Sequence, residues 1–340
     1  MRIIWIWITL GFTACGSPYV PGESGRVEFV GSIEELNRRL YTIIEPEARM
    51  IKLAEGFTWA EGPVWVPATR MLLFSDVPEN TIYKWSEKNG LNKWLTPSGY
   101  TGEGEYSKEP GSNGLILDQN GDLLLAQHGD RRIARMSLKD RLPSGQFQTL
   151  ADTYEDRRFN SPNDLVLARD GSIYFTDPPY GLPGKADSPL RELPFQGVYH
   201  IDGAGVVHDV IDNLSRPNGI GLSPDGNTLY VANSDPAAPH LYAYDRAPDG
   251  SVSNRRIFFD AGEYTDKGPG VPDGLAVDKD GNVFATGPGG VYVLDPTGRP
   301  LGLLNTGRAT ANVTIGNNGK MLYITADDVL LRVPLRKPLR

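Results

Sequence analysis

The chain has 340 residues, of which 39% are hydrophobic and 22% charged, which is the composition of a globular protein with a large core. Its net charge of −8 argues against a nucleic-acid-binding protein, which needs a basic face for phosphate groups. The single cysteine, Cys15, excludes an internal disulfide bond and a cysteine-built zinc site, and the four histidines are scattered without a zinc-binding spacing.

The first residues predict an export signal. Met1 and Arg2 precede a mostly apolar run over 3–12, which is too short for a bilayer, since spanning takes roughly 20 apolar residues. Cys15 follows closely, so the segment resembles a bacterial lipoprotein signal, whose mature protein begins with a lipid-bearing cysteine. An ordinary cleaved signal with an incidental cysteine is the alternative. We therefore predict a signal peptide over 1–14, a lipid on Cys15 as the only membrane contact, and a periplasmic or outer-membrane location.

A tether and a short helix are predicted before the main domain. Residues 16–26 are rich in Gly, Ser and Pro, the composition of a flexible linker. The apolar positions over 33–40 have helical spacing, and Ser32 precedes them as a candidate N-cap. The expected organisation is a tether and helix over 15–47, followed by one domain over 48–340.

One short pattern recurs through the rest of the chain. Each copy has a polar residue, an apolar strand, a turn and a second apolar strand, and most turns contain Asn-Gly or Asp-Gly, which supply positive φ angles. The copies begin at Glu61, Asn113, Asn163, Asn218, Asp273 and Asn312. Their starts lie 39 to 55 residues apart with almost no helical pattern between them, which is typical of a β-propeller. Six copies predict an all-β, six-bladed propeller, with residues near 50–53 closing the circle.

The first polar residue of each copy indicates a candidate metal site. In four copies it precedes the turn glycine by eight positions, so it occupies an equivalent place in each blade. The strand after it is the natural innermost strand, which places the six residues in a ring at one mouth of the central channel. Two carboxylates and four amides suit one hard divalent cation, Ca²⁺ first, with Mg²⁺ or Mn²⁺ as alternatives. The competing interpretation is structural, because Asn and Asp are common turn residues.

Longer motifs surround the same positions. They are Glu61-Gly62-Pro63-Val64-Trp65, Phe74-Ser75-Asp76, Ser161-Pro162-Asn163-Asp164, Phe175-Thr176-Asp177-Pro178-Pro179-Tyr180-Gly181, Arg216-Pro217-Asn218-Gly219 and Pro272-Asp273-Gly274. Over about residues 48–335 the chain resembles the family of gluconolactonases and regucalcin, and the related calcium phosphotriesterase propellers. His128-Gly129-Asp130-Arg131-Arg132 is similar to the pattern of the bacterial gluconolactonases. The family gives Asn312 no firm metal role, so it either completes the ring or caps its blade.

The resemblance implies roles for five residues of the ring. Glu61, Asn218 and Asp273 fall on metal-ligand positions, and Asn163 falls on a position that binds metal in some members and substrate or water in others. Asn113 is implied as a substrate contact, and Asp273 as the acceptor of the proton that water loses. The predicted metal ligands are therefore Glu61, Asn163, Asn218 and Asp273, with Asp273 also catalytic.

Hairpin register nominates further residues at the rim. If each turn has two residues, the end of the second strand lies opposite the ring residue of the same blade. The pairs expected from this register are His128 with Asn113, Pro178 and its neighbour Asp177 with Asn163, and Asn233 with Asn218. The predicted substrate contacts are Asn113, His128, Arg131, Asp177 and Tyr180, with purely structural roles as the alternative for His128 and Arg131.

The predicted function is hydrolysis of a small sugar-acid lactone, in which the cation polarises the carbonyl for attack by water. The chain has no Gly-x-Ser-x-Gly nucleophile motif, and no Gly-rich phosphate loop precedes a helix. Two alternatives remain open at this point: a phosphotriesterase or aryl esterase on the same scaffold, and a propeller that binds a ligand without catalysis. Substrate choice is expected in the loops 98–110, 182–194 and 262–271, whose sequences carry no readable code.

Overall fold

The structure is a computed structural model that describes residues 27–138 and 142–336. The predicted signal peptide, the predicted lipid on Cys15 and most of the predicted tether lie outside these residues. The described residues form strands and short 3-10 helices, the helices covering Arg38–Thr42, Lys185–Asp187 and Ala261–Lys267. Within this part of the chain, no helix has the length and apolar character needed to cross a membrane.

Six antiparallel sheets follow one another along the chain as the blades of a propeller. Two strands precede them, β1 (Ser32–Glu35) and β2 (Ile51–Glu55). Blade 1 contains β3 (Ala60–Val66), β4 (Met71–Asp76), β5 (Thr81–Ser86) and β6 (Gly90–Leu95). Blade 2 contains β7 (Ser112–Leu117), β8 (Leu123–Gln127), β9 (Arg132–Met136) and β10 (Gln148–Ala151), and the small hairpin of β11 (Thr153–Tyr154) and β12 (Arg157–Arg158) follows it.

The other blades repeat this plan. Blade 3 contains β13 (Leu165–Leu167), β14 (Ile173–Asp177), β15 (Gln196–Ile201) and β16 (Val207–Leu214). Blade 4 contains β17 (Pro217–Leu222), β18 (Thr228–Asn233), β19 (His240–Arg246) and β20 (Val252–Asp260). Blade 5 contains β21 (Leu275–Val277), β22 (Val283–Gly287), β23 (Gly290–Leu294) and β24 (Pro300–Asn305), and blade 6 contains β25 (Thr310–Gly316), β26 (Met321–Ala326) and β27 (Val329–Pro334). The predicted six-bladed propeller is confirmed.

The first strands of the chain complete the last two blades. β2 pairs with β27, so blade 6 takes its fourth strand from the start of the domain and the circle is closed by backbone hydrogen bonds. This is the closure predicted for residues near 50–53. β1 pairs with β24 as a fifth strand of blade 5, with Ser32 opposite Asn305.

The short helix before the propeller begins later than its sequence predicts. Within 33–40 the first residues belong to β1, because the free edge of β24 offers hydrogen-bond partners that a helix would forgo. A 3-10 helix follows over Arg38–Thr42, and its N-cap is Asn37, whose side chain accepts from the Arg39 amide at 3.0 Å, rather than Ser32. The helix buries Leu40 completely against the core of blade 5 and blade 6.

Three-residue turns and strand bulges shift the predicted register of the hairpins by one residue. In blade 2 the Gly121 amide donates to the Asp118 carbonyl at 3.0 Å with Gly121 at φ +82°, which makes a three-residue turn with a bulge. The register therefore shifts, so that Ser112 pairs with Gln127, and the His128 amide donates to the Gly111 carbonyl instead of lying opposite Asn113. The same shift in blade 3 pairs Leu165 with Phe175. In blade 4 Asn233 pairs with Pro217, the neighbour of the expected partner.

The hydrophobic core consists of layers between adjacent blades. One layer joins Leu124 and Ile133 of blade 2 to Phe175 and Tyr199 of blade 3, and all four side chains are buried. Apolar residues on both faces of each middle strand are buried in this way, as in β4, where all six residues are buried. Each blade therefore loses much of its apolar contact if a neighbouring blade is displaced.

The innermost strands approach one another closely where glycine follows a ring residue. The Gly219 amide donates to the Asp273 carbonyl at 3.1 Å, and a Cβ on Gly219 would lie 2.1 Å from that oxygen. A Cβ on Gly62 would likewise lie 2.0 Å from the Asn113 carbonyl oxygen. Only a residue without a side chain leaves room for this contact between blades.

We expect Gly219→Ala to lower the free energy of unfolding by about 1–3 kcal/mol, because the methyl group forces the first strands of blades 4 and 5 apart. Gly203→Ala is the matched control, since nothing lies within 4 Å of a Cβ there, and it should change stability by less than about 0.5 kcal/mol. Urea unfolding of both variants measures the difference. Equal stability of the two variants would contradict the close approach of the strands.

Candidate active site

The six predicted ring residues lie together at one mouth of the channel. Hydrogen bonds between neighbouring blades connect the ring segments. The Gly114 amide donates to the Asn163 carbonyl at 2.7 Å, and Thr176 Oγ1 donates to the Asn218 carbonyl at 2.7 Å. Between the last blade and the first, the Asn312 side chain hydrogen-bonds the Glu61 carboxylate, which closes the ring. The ring residues are buried except Asp273, which is partly buried. Register shifts interrupt the inner ladder beside several of them, as between Glu61 and Val64, and such bulges turn side chains away from the ladder.

Three carboxylates share this buried space. Burial, with the nearby charge of Asp164, raises the pKa of Glu61 to about 8 against the hydrogen bond from the Gly62 amide. Burial likewise raises the pKa of Asp164 to about 6. The pKa of Asp273 is raised well above its ordinary value by burial and then by the charges of Glu61, Asp164 and Glu109. The charges that act most strongly on Asp273 are thus all negative, and a bound cation would relieve their repulsion.

The ring amides are held in two different ways. Asn163 Nδ2 lies 3.4 Å from His128 Nε2, and Asn218 Nδ2 donates to Ser234 Oγ at 2.9 Å. The Asn218 side chain also hydrogen-bonds the Asp273 carboxylate, so these two predicted ligands are in contact. Asn312 differs, because its Oδ1 accepts from the Val313 amide at 2.8 Å and its side chain hydrogen-bonds the carboxylates. Asn312 therefore completes the ring as a hydrogen-bond donor.

The donor set fits an oxygen-coordinated cation. Asp273 Oδ1 and Asn113 Oδ1 are buried and have no hydrogen-bond partner, which costs free energy unless another group satisfies them. Across residues 27–138 and 142–336, no group of three or more His, Cys, Asp or Glu side chains is arranged to hold a metal ion. The predicted ligands are instead two carboxylates and two amides, a mixture that Ca²⁺ accepts and that zinc and copper disfavour.

The buried His128 side chain hydrogen-bonds the side chain of Asn163. The His128 side chain is completely buried, and burial lowers its pKa to about 4, so the imidazole is neutral at neutral pH. Nδ1 lies 3.2 Å from the Glu109 carbonyl, which can only accept, so the proton resides on Nδ1 and Nε2 accepts from Asn163. This contact leaves the Asn163 oxygen as the atom available to a ligand. A neutral, buried imidazole in this position orients a ring residue and does not shuttle protons at neutral pH.

Arg131 and Asp177 lie behind the ring as well. Arg131 Nε donates to the Phe159 carbonyl at 2.6 Å, and its guanidinium approaches Glu192 at 3.5 Å. The Asp177 carboxylate accepts from the Asn160 amide at 2.7 Å. Both side chains are buried and bond the protein, and Asp177 Oδ1 has no hydrogen-bond partner among the described residues, so their predicted contact with substrate stays a prediction.

Tyr180 lies between the ring and a neighbouring cleft. Its hydroxyl hydrogen-bonds the Ser234 side chain, and burial together with the charge of Asp273 raises its pKa. A cleft of about 620 Å³ opens on its other side, between two of the loops in which specificity was expected. The cleft is lined by Glu105, Tyr106, Ser107, Lys108, Tyr180, Leu182, Pro183, Gly184 and Lys185. An ion pair of 2.9 Å between Lys185 and Glu109 joins the two loops.

The sequence interpretation missed two residues of the site. Asp164 contributes the third buried carboxylate, and the available signal was its place directly after Asn163, where four other copies have glycine. Ser234 accepts from Asn218 and donates to the Pro272 carbonyl at 2.5 Å, so it links two neighbouring blades. A hydroxyl residue at the end of a second strand carries no sequence signal by itself, because such residues are common in strands.

Comparison with known proteins decides the family. A family model described as the SMP-30/Gluconolactonase/LRE-like region matches residues 59–328. The gluconolactonase of Zymomonas mobilis is 37% identical over 96% of this chain and 92% of its own length. The chain belongs to the SMP-30/gluconolactonase family. A solved gluconolactonase from Xanthomonas campestris is similar with a TM-score of 0.79 and 30% identity, covering 92% of this chain and 98% of its own. A more distant member, the pentonolactonase of Haloferax volcanii, is 26% identical over 78% of this chain and 80% of its own length.

The family match includes every residue of the ring. The matched region begins two residues before Glu61 and extends past Asn312. The resemblance noted from the motifs is thereby confirmed.

We expect cation affinity at this site to rise with pH up to about 8, because Glu61 must lose its proton before its carboxylate can bind. Below that pH, affinity should fall by about tenfold per pH unit for each proton displaced. Stability of the cation-free protein should change in the opposite sense and fall as the pH rises from about 4.5 to about 8, since a carboxylate with a raised pKa favours folding only while it is protonated. Calorimetric titration with Ca²⁺ in buffers of different ionisation enthalpy counts the released protons. Glu61→Gln should release fewer, and an unchanged count would contradict the assignment.

Proposed function

We propose that this member of the SMP-30/gluconolactonase family hydrolyses a sugar-acid lactone with one bound divalent cation, Ca²⁺ first. The observation that carries the proposal is the ring of Glu61, Asn163, Asn218 and Asp273, in which a buried oxygen of Asp273 has no partner. Family membership supports the reaction class, since matched relatives over most of the chain are a gluconolactonase and a pentonolactonase. The residues form an oxygen-rich site at one mouth of the channel.

The chain's own groups divide the chemistry between them. A cation held by the four ligands supplies polarisation of the lactone carbonyl and stabilises the negative oxygen that develops on it. Asp273 accepts the proton that water loses during attack, through the carboxylate oxygen that does not hold the cation. Burial and neighbouring carboxylates raise its pKa in the cation-free protein and a bound cation lowers it again, but an activated ester such as a lactone needs only a weak base. Asn113 offers a second unpartnered oxygen, suited to a substrate hydroxyl.

The cleft beside Tyr180 receives the rest of the substrate. It adjoins the ring through the Tyr180 side chain and offers tyrosine rings together with Lys and Glu side chains. Aromatic faces and charged hydrogen-bonding groups are suited to a polyhydroxylated ligand. The ion pair between Lys185 and Glu109 bridges the two loops that form this cleft.

We expect Asp273→Asn to reduce kcat for lactone hydrolysis by about 100- to 10,000-fold, because the variant lacks the general base. Asp280→Asn, an exposed carboxylate in the turn of the same blade, is the control and should keep full activity.

The assay uses aldonolactones, aryl esters and phosphotriesters, each with chelator and then with Ca²⁺, Mg²⁺ or Mn²⁺ restored. Preference for phosphotriesters or aryl esters would contradict the substrate class. Lactone hydrolysis that survives complete chelation would contradict the cation, and no hydrolysis of any substrate would favour a ligand-binding propeller.

We also propose, from the sequence of residues 1–15, that the protein is exported and anchored by a lipid on Cys15. The basic start, the short apolar run and the cysteine that follows support this location. Expression in a Gram-negative host with labelled palmitate should label the wild-type protein and leave Cys15→Ser unlabelled. Labelling of both, or a wild-type protein that retains residues 1–14, would contradict the proposal.

A further inference from the structure

One type of hydrogen bond recurs in the segments that lead to the ring residues of three blades. In three blades the last residue of the second strand accepts, through its side chain, from a backbone amide two or three positions before the ring residue. The bonds are Thr58 and Trp59 amides to Asp76 at 3.1 Å, the Asn160 amide to Asp177 at 2.7 Å, and the Arg216 amide to Asn233 at 2.9 Å. These blades supply Glu61, Asn163 and Asn218, three of the four proposed cation ligands. The corresponding residues of blades 5 and 6 are Gly287 and Ala326, which have no such side chain.

Blade 3 depends on this bond more than blades 1 and 4. Glu61 lies within β3 and Asn218 within β17, so strand pairing helps to place both residues. Asn163 precedes β13, which begins only at Leu165 and has three residues. Backbone bonds hold Asn163 itself, whose amide donates to the Thr176 carbonyl at 2.8 Å, and side-chain contacts hold residues 160–161 before it.

Contacts from two blades hold the segment 158–163. The Asp177 carboxylate accepts from the Asn160 amide, while Asn160 Nδ2 donates to the Asp177 carbonyl at 3.0 Å, so the two residues are joined twice. From blade 2, the Arg131 guanidinium donates to the Phe159 carbonyl at 2.6 Å and to the Arg158 carbonyl at 3.4 Å. Both side chains are buried, with Arg131 at 4% and Asp177 at 0% exposure. These bonds fix the backbone on the side of Asn163 that faces away from β13.

We propose that Asp177 and Arg131 are positioning residues that hold Asn163 as a cation ligand and thereby set the affinity of the site. The proposal rests on the proposed function, because it concerns the cation of that site. Neither residue needs to touch the cation for this role. Their effect passes through the backbone of 158–163 to the Asn163 side chain, whose amide nitrogen is bonded to His128. Supporting residues of this kind commonly change metal affinity by about 10- to 100-fold.

The variant Asp177→Asn tests whether the Asp177 side chain acts through its hydrogen bond or through its charge. Asn233 accepts the equivalent bond in blade 4 through an amide oxygen, so Asp177→Asn should keep Ca²⁺ affinity within a few-fold of wild type. Asp177→Ala leaves the Asn160 amide without an acceptor and should weaken Ca²⁺ binding by about 10- to 100-fold. In an Asn163→Ala background the Asp177→Ala change should have no further effect, because the ligand through which it acts is absent. Calorimetric titration of the chelator-stripped full chain measures each affinity.

Arginine 131 provides a second variant if Asp177→Ala does not fold. Arg131→Lys lacks the guanidinium that donates to two carbonyls and should weaken Ca²⁺ binding, whereas Arg132→Lys should not. Arg132 is the matched control because its guanidinium bonds Gln127 and Asp130 instead of the segment 158–163. Hydrogen exchange of peptides covering 158–164 should quicken in Arg131→Lys and stay unchanged in Arg132→Lys.

The outcomes distinguish this inference from the function on which it rests. A wild-type chain that binds no divalent cation overturns the proposed function, and this inference with it. If the wild type binds Ca²⁺ and neither Asp177→Ala nor Arg131→Lys weakens it, only the positioning role is overturned. The same conclusion follows if the effects of Asp177→Ala and Asn163→Ala simply multiply, or if both variants lower stability at unchanged affinity.

Discussion

The mutual repulsion of three buried carboxylates is the constraint around which this site is built. The charge of Asp164 raises the pKa of Glu61, the charges of Glu61 and Asp164 raise that of Asp273, and burial raises the pKa of all three. Isolated buried charges of this kind are costly in a folded protein. Hydrogen bonds from Asn312 and from the Gly62 amide offset part of the cost, and the remainder favours a bound cation. The scaffold tolerates the arrangement because a closed propeller cannot relax by moving one blade away.

The ring is held as one unit by hydrogen bonds that cross from blade to blade. Ser75 Oγ of blade 1 donates to the Asn113 carbonyl of blade 2 at 2.9 Å, and Thr176 Oγ1 of blade 3 donates to the Asn218 carbonyl of blade 4 at 2.7 Å. Ser234 of blade 4 reaches the Pro272 carbonyl beside Asp273. Each ligand is therefore placed partly by the blade before it. Such support keeps ligand atoms in position without strain in the ligands themselves.

Polar residues near the channel mouth fall into two groups with different chemistry. One group faces the shared space at the channel mouth and consists of Glu61, Asn218 and Asp273. The other group hydrogen-bonds the backbone of 158–163 and consists of Arg131 and Asp177. Residue type alone does not separate the groups, because each contains charged side chains suited to binding a sugar acid. Bonding partners separate them, because Arg131 and Asp177 bond the backbone that leads to Asn163, which gives both a supporting role beside their predicted contact with substrate.

The sequence by itself determined the architecture and the composition of the ring. Repeated hairpins and fixed offsets predict six blades, and the circular symmetry of a propeller then brings Glu61 and Asp273 together although they are far apart in the chain. Turn length could not be read with the same accuracy, because a glycine at positive φ serves both two- and three-residue turns, and one residue of register moves His128 out of line with Asn113.

Only the tertiary structure decided which side chains face the shared space. Asp164 joins the site because it follows Asn163 ahead of the late-starting strand of blade 3, and Asp177 takes a supporting role because the Asn160 amide bonds one of its carboxylate oxygens. The physical reason is common to both residues: a side chain's direction depends on partners contributed by distant segments, and periodicity along one strand contains no information about them.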